Sequence, residues 1–189
     1  MSGGRGSGLV AILVSLLAVG VLRSALPEGI PTEFEVRPDE AGTARAEEVT
    51  VQFLGIETAT SVRPDGGLSD ARFDAAPGTV LVLCRVAMTA HGGPFVVSTQ
   101  VRTADGYSYE AVYGSGVDRT AIADVGTTVT TTYVYMLPLD KVSGRIALHG
   151  FRPDGLQPVH PTVVQELPSG LDLEPGEVVL PPVEIVAAE

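Results

Sequence analysis

Phe95-Val-Val-Ser-Thr-Gln-Val-Arg-Thr-Ala-Asp-Gly-Tyr-Ser-Tyr-Glu-Ala-Val-Tyr113 is two runs of strand-forming residues joined by an Asp-Gly turn. β-Branched and aromatic side chains dominate both arms, and such side chains pack well on a pleated surface. Asp105-Gly106 supplies the positive φ angles that a tight hairpin requires, since glycine has no Cβ to clash there. The segment predicts strands over 95–103 and 107–113 joined through residues 104–106. A hairpin in the middle of the chain makes the rest of the fold a question about sheets.

Outward from it the same pattern persists. Upstream, Thr79-Val-Leu-Val-Leu-Cys-Arg-Val-Ala-Met-Thr-Ala90 is apolar on both faces in its first half, as a central strand covered on both sides is. Earlier still, Val49, Val51 and Phe53 alternate with Thr50 and Gln52. The apolar phase then shifts to Leu54 and Ile56 across Gly55, the mark of a bulge. Residues 63–70 are rich in turn formers and read as a loop. Downstream, a polar loop with Gly114, Gly116 and Gly126 leads into residues 127–137, rich in Thr and Tyr and stopped by Pro138. Strands are expected at 144–151 and 159–167, the second at a sheet edge because Pro161 has no N–H to give a ladder. Short strands spaced by turns, with no amphipathic helix beyond residue 25, predict an all-β fold of two packed antiparallel sheets.

One apolar run stands apart. Residues 9–22, between Arg5 and Arg23, would rise about 21 Å as a helix, against a hydrocarbon core of roughly 30 Å. The run is short for a span, and the small residues a signal protease needs at −3 and −1 are poorly placed after it. A signal-anchor rescued by snorkelling of Arg23 is the preferred reading, a cleaved signal peptide the second, a cytosolic core helix the third. Glu28, Glu33 and Glu35 follow the run, a bias that keeps the N-terminus inside and the C-terminal domain extracytoplasmic. The expected organisation is a signal-anchor or signal peptide at 1–25, a Pro- and Gly-containing spacer at 26–44 in which a short strand at 34–37 docks on the domain, a β-sandwich at 45–167 and a Pro-rich acidic C-terminal arm at 168–189.

A formal charge of −11 disfavours nucleic acid and anionic lipid surfaces as partners. Cys84 is the only cysteine, so no intrachain disulfide forms; its place among Val80, Val82, Val86 and Met88 predicts a buried, inert thiol. Lys141 is the only lysine among 12 Lys and Arg residues, a bias that, with abundant Ala, Gly and Val, suggests a high-GC bacterial genome of the actinobacteria kind.

No spacing identifies a catalytic residue. His91, His149 and His160 are scattered, and a transition-metal site needs several ligands converging. Asp65, Asp70 and Asp74 crowd one loop and are weak candidates for Ca²⁺, without the alternation and bidentate Glu of an established loop. Ser115 lacks a nucleophile-elbow context, and no Gly-rich loop opens a helix. Tyr107, Tyr109 and Tyr113 share one face of their strand, and Tyr133 and Tyr135 share a face of another. Were these strands neighbours, the tyrosines would form either a partner-binding patch or cross-strand packing over one side of a sheet.

The order of features is also familiar. The shifted strand at 49–60, the Gly-initiated strand at 78–90, the strand ending in Ala-Asp-Gly-Tyr-Ser-Tyr109, and the Gly126-led strand ending in Tyr-Val-Tyr-Met-Leu-Pro138 resemble a telokin-like, immunoglobulin-like extracytoplasmic domain of unknown function in Gram-positive bacteria. The secreted immunoprotective antigen of mycobacteria is similar in fold. The resemblance covers residues 47–151 and implies an immunoglobulin-like antiparallel β-sandwich, here preceded by one N-terminal hydrophobic helix. It implies no cofactor and no enzymatic activity, and supplies no site residues. The lipid-attachment Cys of many members is missing here, which puts lipoprotein anchoring out and leaves a helix anchor open. The expected function is a non-enzymatic protein-interaction or envelope-structural module, its partners the membrane and an unidentified envelope protein. The alternative is an extracytoplasmic small-ligand or calcium-binding domain.

Overall fold

The hairpin forms around residues 104–106 as a three-residue loop. Gly106 N–H bonds the Thr103 carbonyl at 3.0 Å, Thr103 N–H bonds the Tyr107 carbonyl at 2.9 Å, and Gly106 takes the positive φ, 90°. This is a turn closed by a left-handed glycine, one residue longer than the tightest hairpin loop.

The structure, a computed structural model, describes residues 33–46, 48–65, 72–113, 120–151, 160–173 and 175–188. The apolar run at 9–22 and the expected N-terminal helix lie outside the described residues, as does Asp70. Among the described residues no helix is long and apolar enough to cross a membrane. In chain order the strands are β1 (Glu33–Val36), β2 (Thr43–Ala46), β3 (Val49–Ala59), β4 (Ser61–Pro64), β5 (Phe73–Asp74), β6 (Thr79–Ala90) and β7 (Phe95–Arg102). They continue as β8 (Ser108–Tyr113), β9 (Thr120–Ala123), β10 (Thr127–Pro138), β11 (Arg145–Phe151), β12 (His160–Glu166), β13 (Glu177–Leu180) and β14 (Glu184–Ala187).

Two layers face each other. One runs β1-β12-β11-β7, and the other runs β2-β3-β6-β10. β8 belongs to both: Tyr109 stands opposite Val101 of β7, while Ala111 stands opposite Tyr135 of β10. At the other end of the same flank the layers are separate, with β9 on β7 and β14 on β10. The described residues form an all-β sandwich.

Alternation along each strand builds the core. Val80, Val82, Cys84, Val86 and Met88 of β6 meet Phe95, Val97, Val101, Ile146, Leu148 and Val163 from the facing layer, all buried. The opposite face of β6 explains why its first half is apolar throughout. Leu81 and Leu83 point outward beneath a small third sheet, β13-β4-β5, and pack with Val62, Val134 and Leu180. That sheet covers half of the face, so Arg85 farther along β6 is exposed.

The bulge sits in β3 where the phase shift places it. Phe53 stands opposite Val86 and Gly55 opposite Arg85, so Leu54 is the extra residue and is exposed. Two expectations change. β12 is not outermost, because β1 closes its edge in parallel register and Arg145 reaches Glu35 at 2.8 Å. The body also spans more than 45–167: the compact unit is Glu33–Glu189, with β13 and β14 inside the C-terminal arm, while β1 lies where a short docking strand is expected within the spacer. Strands of four residues beside prolines are too short to show a period, and their ladders rather than their composition hold them extended.

Candidate functional site

The hairpin tip is clamped by the sole lysine. Lys141, in the 3-10 turn Leu139–Lys141 after β10, pairs with Asp105, and its ammonium lies 4.6 Å from the Tyr107 ring centroid. Thr103 Oγ1 donates to Asp105 Oδ1 at 2.5 Å. The hydrogen bond from Lys141, then that from Thr103, holds the Asp105 carboxyl below its ordinary range; Asp105 in turn raises the Lys141 ammonium. Both groups lie at the surface, where such pairs add little to stability and fix geometry instead.

β8 and β10 are neighbours, but their tyrosines mostly point inward. Tyr133 and Tyr135 are fully buried, and Tyr109 is half-buried against the same core. The Tyr135 hydroxyl pairs with Thr99, and burial pushes its phenol well above the usual value, the nearby Cys84 thiol adding to the effect. Tyr107 is 60% exposed at the tip, while the Tyr113 side chain lies outside the described residues. Among the described side chains the tyrosine patch thus reduces to Tyr107, already engaged by Lys141.

The aspartate loop is partly tied into ion pairs. Arg72 meets Asp74 at 2.6 Å and Glu177 at 3.1 Å, and Glu177 meets Arg63 at 2.9 Å, a chain of alternating charge that stitches β4, β5 and β13. Asp65 is exposed, and its N–H bonds the Leu180 carbonyl at 2.8 Å. A Ca²⁺ cage needs carboxylates converging on one cation, whereas Asp74 faces a guanidinium. Among the described residues no group of three His, Cys, Asp or Glu could hold a metal. His91 Nε2 sits 2.9 Å from Thr50 Oγ1, and His149 is engaged by Gln100, Arg102 and Thr162 on the outer face of β7, β11 and β12. The His160 side chain is outside the described residues. Cys84 is buried and its thiol is pushed up by desolvation, so it packs as a small hydrophobe.

The feature that sequence reading missed is β14. All four of its residues are exposed, Ile185 by 67% and Val186 by 56%, and Val125 beside it by 53%. The signal was present in Val183-Glu-Ile-Val186, a β-branched run, but Pro181-Pro182 before it masked the strand.

No family model matches the chain, and no curated protein matches it. Among solved structures the chain is similar to an uncharacterized β-sandwich protein from Clostridium difficile 630, with 14% identity, 74% of this chain and 99% of that one covered, and a TM-score of 0.43. It is also similar to a lipoprotein candidate from Bacillus subtilis 168, with 8% identity, 70% of this chain and 40% of that one covered, and a TM-score of 0.46. These likenesses concern the fold.

Proposed function

We propose that this chain is a non-enzymatic, immunoglobulin-like module that works outside the cytoplasm, held to the membrane by residues 9–22, and that it binds a protein of the cell envelope. The observation that carries the binding reading is the exposed apolar strand β14 on the flank of the sandwich, where Ile185 and Val186 are 67% and 56% exposed. Branched apolar side chains held in solvent cost free energy that a partner recovers by covering them. The extracytoplasmic setting rests on the apolar run between Arg5 and Arg23 and on the acidic residues that follow it.

Crosslinking on intact cells, followed by identification of the joined proteins, tests the binding reading. A discrete adduct of the 19.6 kDa chain with one envelope protein is the expected outcome. Monomer alone at every crosslinker length overturns it. Intact mass of the protein recovered from membranes tests the tether: retention of residues 1–25 supports an anchor, and their loss marks a cleaved, released form.

A further inference from the structure

We infer that the free edge of β14 is a strand-addition site for a short, extended, basic segment of another protein. This rests on the binding reading above and names the kind of partner that fits.

The hydrogen-bonding phase of β14 carries the inference. Ala188 N–H bonds the carbonyl of Gly126, the residue directly opposite it, at 2.8 Å. In an antiparallel ladder, pairs that exchange bonds alternate with pairs that do not. Val186 opposite Thr128 and Glu184 opposite Thr130 therefore aim their amides at β10. Ile185 and Ala187, opposite Val129 and Thr127, aim theirs away. Among the described residues β14 has β10 as its strand neighbour and all four of its residues are exposed, so among those residues the outward N–H and C=O groups have no partner strand. An added strand would find two donors and two acceptors at a two-residue spacing, with Ile185 on one face and Val186 on the other.

The charges around this edge select the partner. Residues 124–130 and 183–188 contain no Lys or Arg, and Asp124 and Glu184 are exposed at opposite ends of the ladder that β14 shares with β10. The window is about four residues, roughly 13 Å of extended chain, and Pro181-Pro182 limit it on one side. A segment with apolar residues in the middle and a Lys or Arg at each end satisfies both features. A second copy fits poorly: pairing β14 with itself antiparallel brings Asp124 and Glu184 of the two copies together at both ends, and each chain carries −11.

The test uses the full chain in mild detergent and two labelled peptides, Lys-Val-Thr-Val-Thr-Val-Lys and Glu-Val-Thr-Val-Thr-Val-Glu, read by fluorescence anisotropy. The basic peptide is expected to bind at least tenfold tighter at low salt, the ratio shrinking as salt rises. Ile185→Pro removes an outward N–H without touching the inward ladder and is expected to weaken binding at least tenfold, with the melting temperature little changed. Glu184→Lys, which leaves the backbone alone, is expected to narrow the preference between the two peptides. No binding of either peptide, equal binding of both, or binding unaffected by both variants overturns the inference. So does a dimer abolished by Ile185→Pro, which assigns the edge to a second copy. If peptide binding fails while surface crosslinking still captures an envelope protein, the binding module stands and the β14 site falls.

Discussion

Two glycines with similar backbone angles carry different loads. Gly106 has φ 90°, and a Cβ there would meet open space; Gly144 has φ 116°, and a Cβ would lie 2.2 Å from the Arg102 carbonyl oxygen and 2.8 Å from Thr103 Cα. Gly106→Ala should cost about 1–2 kcal/mol, the left-handed penalty alone. Gly144→Ala should cost at least about 3 kcal/mol, because the backbone it strikes belongs to the hairpin and cannot give way cheaply. Urea titrations of both variants check the ordering. At Thr131 the expected sign is opposite. Its hydroxyl is buried in the core of β10 and has no partner among the described residues. Thr131→Val should stabilise the fold by about 1 kcal/mol, seen as a rise of roughly 3 °C in Tm. The need for Gly106 was visible in the sequence from Asp105-Gly106 between two strand-forming runs. The close approach at Gly144 was not, since it depends on where the turn after β10 lands against β7.

At the scale of an element, the hairpin tip is a pH-sensitive clamp of small amplitude. Asp105 has a folded-state pKa below its unfolded one, so its contribution is complete above the unfolded value of about 3.9 and is lost as pH falls through the folded value. Lys141 is raised, so its contribution is complete below about 10.4 and is lost as pH rises through the folded value. The melting temperatures of the native chain and Asp105→Asn should therefore differ most between about pH 5 and 9 and converge at both extremes. The gap should stay within a few degrees, because both groups are at the surface. Circular dichroism melts across pH measure it. The strands of this hairpin and of β6 were legible because period-two alternation and a turn signal coincide there. The tyrosine faces were legible as faces, but which side of the sheet they met was not. Tyr109, Tyr133 and Tyr135 turn inward because β8 and β10 close one flank of the sandwich, with Ala111 of β8 set opposite Tyr135 in the core.

For the whole molecule, the C-terminal arm is a structural part of the body. Leu180 of β13 is 4% exposed and sits with Leu81, Leu83, Val62 and Val134 on the outer face of β6 and β10. Around it, Thr60 N–H bonds the Gly176 carbonyl at 3.0 Å, and Thr58 Oγ1 donates to the Asp172 carbonyl at 2.5 Å. Leu180→Ala should cost about 3 kcal/mol, the lost transfer energy plus a cavity. It should also raise amide exchange across residues 177–187 more than across β7 or β11. Uniform protection across those strands would show that the arm is held by its ladders rather than by Leu180.

The sequence by itself determined that the domain is all-β, that its central hairpin turns at residues 104–106, that β3 bulges beside Gly55, and that β6 is covered on both faces over its first half. These are local properties, written in alternation, glycine positions and β-branched runs within a few residues of one another. Only the tertiary structure decided what covers the second face of β6, which of Tyr107, Tyr109, Tyr133 and Tyr135 reach solvent, and that the Pro-rich arm forms an exposed strand on β10. Those outcomes join residues as distant as Val62 and Leu180, or Thr128 and Val186. Long-range pairing depends on chain path, and a four-residue strand owes its conformation to the ladder it joins rather than to any preference of its own.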